Sequence, residues 1–352
     1  MRNLIIKILK SLGFLSFGLV LLYFAFKGIS LEKLVSDLRS VNYWWVLLSL
    51  VFAFLAYLSR AYRWNIIIEP LNYHPHLKYT LYSLLVGYLA NFAFPRIGEI
   101  TRCATLGKKE KIPVDKLIGT VIVERVVDLI SLFLLLVFLL IIRIDTFGAF
   151  LGDSVFKPLS VKISDTLDFS WFIWIVIAGT IIGFISLYFI FREKLASVAM
   201  VSKIKNMVKG VISGLKTVYQ MKRRWEFLLF TIFIWGFYLL MTWVVVFSLP
   251  STSGLKLVDG LFILVIGGLG MSAPVQGGIG AYHWIVSRGL ASVFTFISIE
   301  EGLAYATISH GSQALFAIAL GSLSLVFLVS RNKKKHAKRS SRRVKTPKPA
   351  VE

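Results

Sequence analysis

Long apolar stretches that are nearly free of charge recur along the chain, near 5–26, 43–59, 117–142, 170–191, 227–249 and 303–330. A helix needs about 20 apolar residues to cross a hydrocarbon core roughly 30 Å thick, so these read as six full transmembrane helices. Composition agrees. Hydrophobic residues make up 57% of the 352-residue chain, mean hydropathy is +0.75 and only 16% of residues are charged, against about 25% in a soluble domain. Lys and Arg number 40 against 18 Asp and Glu, a net charge of +22. High hydropathy and high positive charge conflict in a soluble protein but agree in a membrane protein with basic cytoplasmic loops. The single cysteine, Cys103, excludes an intrachain disulfide and a cysteine-ligated metal site. No stretch is long and polar enough for a soluble catalytic domain. The first apolar stretch follows Arg2, Lys7 and Lys10 but ends at Phe24-Ala25-Phe26-Lys27 without a small-residue cleavage pattern, so it reads as a retained span.

Two apolar stretches are too short or too broken to be simple spans. Residues 79–94 run into Pro95-Arg96-Ile97-Gly98-Glu99, and 259–298 are split by Ala273-Pro274-Val275-Gln276-Gly277-Gly278-Ile279-Gly280. If both are re-entrant helical hairpins, the loops on the side of the termini hold 31 Lys and Arg and the opposite loops hold 7. That asymmetry places both termini in the cytoplasm. The alternative, in which Pro95 and Pro274 kink ordinary spans, would put the nine basic residues of 192–226 outside. The expected fold is an all-α polytopic membrane protein: about six full spans plus two re-entrant hairpins entering from opposite faces as an inverted repeat. In such a repeat a binding site forms where the broken helices meet near the midplane.

One transmembrane domain should therefore occupy 1–330, with a basic amphipathic helix over 195–220 lying along the cytoplasmic leaflet. Residues 331–352 carry ten basic residues and one acid, and read as a disordered tail attracted to anionic lipid. The tail lacks aromatic interleaving or a folded module, which disfavours a nucleic-acid role.

Charges at membrane depth are the candidate functional residues, because each is costly there unless paired or facing a cavity. Arg60 and Arg63 are three apart beside Trp64; they are either snorkelling interface residues or headgroup ligands. Arg96, Glu99 and Arg102 are spaced by three after the Pro95 break, which predicts one side of a helix. Arginine there suits bidentate phosphate contact and a helix N-terminus favours an anion. Asn91 adds a neutral polar group just before the break. Glu124, Arg125 and Asp128 form either a structural ion-pair knot or a cluster handling substrate or protons. Gln276, Gly277, Gly278 and Gly280 predict a turn with exposed backbone N–H groups, an anion nest. His283 and His310 are either packed hydrogen-bonding residues or proton carriers. His74 and His76 lack a third metal ligand nearby. The sequence contains no P-loop, dinucleotide fingerprint, HExxH motif or nucleophile elbow, so neither a cofactor nor an enzyme activity is expected.

Four of these segments occur in an informative order: Arg60-Ala61-Tyr62-Arg63-Trp64, Pro95 to Glu99 with Arg102, Thr120 to Asp128 with Glu124 and Arg125, and Pro274 to Gly280. The set resembles the lysylphosphatidylglycerol synthase transmembrane-region family, also described as flippase-like integral membrane proteins, over roughly residues 10–330. The resemblance implies a lipid translocator of a prokaryotic cytoplasmic membrane. Its expected cargo is an anionic or glycosylated/polyprenyl lipid, and its expected partners are membrane lipids with an anionic headgroup and a lipid-modifying or glycosyltransferase enzyme; a homo-oligomer is left open. His283 stands where the family commonly has a glutamate. No soluble synthase domain follows residue 330, so aminoacyl-lipid synthesis is not expected of the chain itself. Two alternatives stand beside the translocator: an integral-membrane transferase using Glu124 or Asp128 as base, and a non-transporting glycosyltransferase partner.

Overall fold

The computed structural model describes residues 39–142 and 218–344, with side chains as far as 330, and the isolated positions 23 and 36. Among the described residues the regular elements are all helical: α1 (Tyr43–Ile68), α2 (Leu77–Ala93), α3 (Gly98–Glu110), α4 (Val114–Ile142), α5 (Arg224–Val244), α6 (Leu257–Met271), α7 (Ala281–Val293) and α8 (Ile299–Val344). Four segments are long and apolar enough to cross a membrane: Tyr43–Leu71, Val114–Ile142, Arg224–Ser248 and Ile299–Ser330. They match four of the six expected spans. The spans expected at 5–26 and 170–191 lie outside the described residues, as does the amphipathic helix expected over 195–220 except for its last three positions.

Many large apolar side chains point outward, among them Leu315, 71% exposed, and Ile232, 67% exposed. Water would penalise so much contiguous apolar surface, whereas lipid does not. The protein is a multi-pass membrane protein.

Local chemistry sets the helix ends. Asn42 caps α1, its Oδ1 accepting the Trp44 N–H at 3.2 Å. Pro95 disfavours a helical conformation at the preceding residue, and α2 stops there with Phe94 extended at φ −144°, ψ 133°. Ser298 and Glu301 form a reciprocal capping box at the start of α8: Ser298 N–H donates to Glu301 at 2.8 Å and Glu301 N–H donates to Ser298 Oγ at 3.2 Å. The backbone of α8 continues to Val344, into the segment where the sequence reading places a disordered tail from 331. Residues 331–344 contain no Pro or Gly, Lys and Arg are good helix formers, and positive charge suits a helix C-terminus.

The chain forms two compact units, Met1–Val121 with Met221–Glu352, and Ile122–Gln220. In the first, α1 packs along α5, α2 packs on α3 and α8, α6 contacts α5 and α7, and α7 packs on α8. Trp64, Ile68, Cys103, Leu106, Ile112, Leu117 and Val121 form a buried cluster joining α1, α3 and the start of α4. The Trp64 indole N–H is satisfied by Thr120 Oγ1 at 2.9 Å. Arg223, just before α5, reaches Glu69 at 3.1 Å and Tyr62 Oη at 2.9 Å. Glu226, then Glu69 and Tyr62, hold its guanidinium above the usual arginine pKa, so this tie between α1 and α5 is permanently charged. Of the second unit, residues 122–142 on α4 and 218–220 are described.

Candidate functional site

Both breaks read from the sequence are present: α2 and α3 are separated by 94–97, and α6 and α7 by a segment that includes a short 3-10 turn, Gln276–Gly278. Within the first pair the arms approach to glycine distance. A Cβ on Gly98 would lie 2.1 Å from the Gly87 carbonyl oxygen, and Asn91 Oδ1 accepts the Gly98 N–H at 2.8 Å. Asn91 thus staples the arms of its own hairpin. In the second break Gly277, Gly278 and Gly280 have φ of 58°, 77° and 83°, the left-handed region that other residues rarely adopt.

The two breaks meet. Arg96, itself at φ 61°, donates from Nη2 to the carbonyl of Ser272, the C-cap of α6, at 3.0 Å. A cation at a helix C-terminus is favourable. Phe92 lies against Gly277, whose Cβ, if present, would fall 2.5 Å from the ring. His310 of α8 closes the assembly from behind, with Nε2 2.7 Å from the Gly277 carbonyl oxygen, which must accept. The His283 ring lies 5.1 Å from that of His310, and Tyr282 stacks on His310 at 5.1 Å.

The row of Arg96, Glu99 and Arg102 expected along one helix side is divided. Because α3 begins at Gly98 and Arg96 is left-handed, Arg96 stands exposed in the break, while Arg102 is 3% exposed. Arg102 belongs instead with Arg60 and Arg63, which are 8% and 0% exposed. Interface snorkelling does not describe guanidiniums so deeply enclosed. Arg102 stacks on Trp64 at 4.7 Å, Arg63 on Phe227 at 5.6 Å and Arg60 on Tyr88 at 5.8 Å. Arg60 donates to Tyr238 Oη at 3.1 Å and Arg63 to Thr231 Oγ1 at 3.2 Å. Arg60 and Arg102 both lie close enough to Tyr88 to act on it electrostatically. The Tyr88 hydroxyl is buried and makes no hydrogen bond among the described residues. Three arginines against aromatic faces, two of them beside a phenol with donor capacity to spare, form a chemical environment suited to an anion.

The remaining candidates have partners of their own. Glu124, fully buried, pairs with Arg125 at 3.1 Å, and Asp128 reaches the same guanidinium at 3.6 Å, all on the part of α4 in the second unit. One arginine thus lies between two carboxylates. Glu99 is half-buried in the first turn of α3 and Gln276 is buried in the second break. His76 pairs with Glu110 at 3.2 Å. Among the described residues no group of three or more His, Cys, Asp and Glu could hold a metal ion. Sequence reasoning missed Tyr88, Tyr238 and Thr231. A tyrosine or threonine in an apolar run resembles ordinary core, and only tertiary placement beside an arginine distinguishes it.

A membrane protein whose described residues are helical, with two interrupted helix pairs joined at their breaks and three arginines buried within the same unit, defines the class. The chain belongs to the family described as the lysylphosphatidylglycerol synthase TM region, which it matches over residues 5–321. It is 34% identical over 128 residues to a UPF0104 membrane protein of Methanocaldococcus jannaschii, covering 35% of this chain and 38% of that relative. The chain thus matches well under half the length of that relative. No solved structure matches it.

Proposed function

We propose that the protein moves a lipid with an anionic headgroup between the leaflets of a prokaryotic cytoplasmic membrane. The observation that carries this reading is the group of Arg60, Arg63 and Arg102, buried in the first unit and framed by Trp64, Phe227, Tyr88, Tyr238 and Thr231. A charge at the centre of a bilayer costs between about 2.5 and more than 10 kcal/mol, so such residues mark ligand pathways. The distribution of basic residues orients both termini to the cytoplasm, with the α2–α3 pair entering from that side and the α6–α7 pair from the other. An inverted repeat of two re-entrant hairpins then has its meeting point, at Arg96 and Ser272, midway along the path. Arg96 would hold the hairpins together until a phosphate, a stronger acceptor than a neutral carbonyl, competes for it. The membrane potential supplies about 2.3 kcal/mol per charge per 100 mV.

Ligand-induced stabilisation tests the headgroup site. Purified protein should unfold at a higher temperature with phosphatidate or phosphatidylglycerol than with phosphatidylcholine, and Arg102→Gln should erase the difference. Equal stabilisation by all three lipids in the native protein would remove the headgroup assignment.

A further inference from the structure

A groove on the first unit has no place in the headgroup account. It has a volume of about 530 Å³ and is lined by Val86, Leu89, Ala90, Phe92, Ala93 and Thr101 of the first helix pair with Ile318 and Leu325 of α8. Its walls are apolar apart from Thr101, whose hydroxyl donates to the Ile97 carbonyl at 3.0 Å, so the groove offers no unsatisfied donor to a polar ligand. Ala90 and Ala93 keep it open by their small size. Val86, Ala90 and Ala93 share a face of α2 at helical spacing, and the seven helical steps from Ile318 to Leu325 give the facing wall about 10 Å of length. The wall helix is one of the four that are long and apolar enough to span a membrane. One end reaches Phe92, which lies against Gly277 where the breaks meet. Thr101 on the wall is followed directly by Arg102 of the buried arginine group. The groove and the headgroup site therefore lie on adjoining faces of α2 and α3.

We propose that this groove is a binding subsite for one hydrocarbon chain of the transported lipid, so that the protein grips both ends of its cargo; the inference rests on the translocator reading. Apolar burial drives the contact: each methylene enclosed contributes about 0.8 kcal/mol where its alternative is water, and less against lipid. What the groove adds over bulk lipid is therefore position, holding the chain while the headgroup crosses.

The test compares a long-chain phosphatidate with its short-chain, water-dispersed counterpart, measuring affinity for the purified full chain. Ala90→Phe fills the groove. The expected result is a loss of about tenfold for the long-chain lipid, equivalent to about two methylenes, with short-chain binding unchanged. Unchanged short-chain binding also shows that the variant is folded. Equal loss for both lipids, or no loss for either, overturns the proposal. A second measurement uses a phosphatidate carrying a photoreactive group along its chain, with a neutral diacylglycerol carrying the same chain as comparison. Preferential labelling of 86–93 and 318–325 by the phosphatidate supports the subsite; equal labelling by the neutral lipid makes the groove a general lipid contact and overturns it. Failure of the headgroup reading has a different signature, in which Arg102→Gln leaves binding of both phosphatidates intact.

Discussion

Individual residues divide the arginines of the site into two kinds. Arg102 is a buried cation over the Trp64 face at 4.7 Å, a contact worth about 2 kcal/mol when desolvated. Arg102→Lys keeps the charge but loses the planar stack and bidentate geometry, so it should retain part of the anionic-lipid stabilisation that Arg102→Gln removes. A variant with Lys indistinguishable from Gln would show that shape alone matters. Arg96 is different: it is exposed, left-handed and bonded to a helix terminus. Arg96→Gly relieves the backbone strain while losing the bond to Ser272, so global stability should shift by no more than about 1 kcal/mol. Hydrogen exchange over 272–280 should nevertheless accelerate, and unchanged exchange there would deny Arg96 its role in joining the breaks. Spacing alone places Arg96 and Arg102 together, and the structure separates them. Pro95 disfavours a helical Phe94, which ends α2, and the left-handed backbone at Arg96 itself puts the start of α3 at Gly98. Arg60, Arg63 and Arg102 were legible as charges out of place. Tyr88 and Tyr238 were not, since nothing in the sequence near either distinguishes a hydroxyl beside a guanidinium from one in ordinary core.

The helix pairs were the most readable elements, because the chemistry that breaks a helix is local. Pro95 and the glycines of 277–280 mark both interruptions, and α2, α3, α6 and α7 end close to where those residues require. What spacing could not give is how closely the arms approach. Gly98 packs against the Gly87 carbonyl with no room for a methyl group. Gly98→Ala should therefore destabilise the protein by about 1–3 kcal/mol through overpacking, read as a lowered thermal midpoint in detergent. Gly119 on α4 has nothing within 4 Å of its would-be Cβ, so Gly119→Ala should be neutral or stabilising by up to about 1 kcal/mol. Equal effects at the two positions would contradict the close packing of α2 on α3. Past residue 330 the backbone of α8 runs on to Val344 through a basic segment that has no Pro or Gly breaker.

For the whole molecule, the account depends on which side of the membrane each loop faces. With α2 and α3 forming a re-entrant pair, positions 74 and 109 lie on one side and position 296 on the other. Single cysteines introduced there in a Cys103→Ser background should show it: an impermeant thiol reagent applied to sealed, right-side-out vesicles should label 296 and spare 74 and 109. Labelling of 74 and 109 from opposite sides would turn the first helix pair into a kinked span. The central claim, however, is movement of an anionic lipid governed by the buried arginines, and reconstituted vesicles test it most directly. Fluorescent phosphatidate, phosphatidylglycerol and phosphatidylcholine are placed in one leaflet, and a membrane-impermeant quencher reports their arrival in the other, with wild-type protein and Arg102→Gln compared at equal incorporation. The account predicts accelerated exchange of the anionic lipids by wild type only, with phosphatidylcholine little affected. Exchange of no lipid by the intact wild-type protein, or equal exchange by Arg102→Gln, would contradict it.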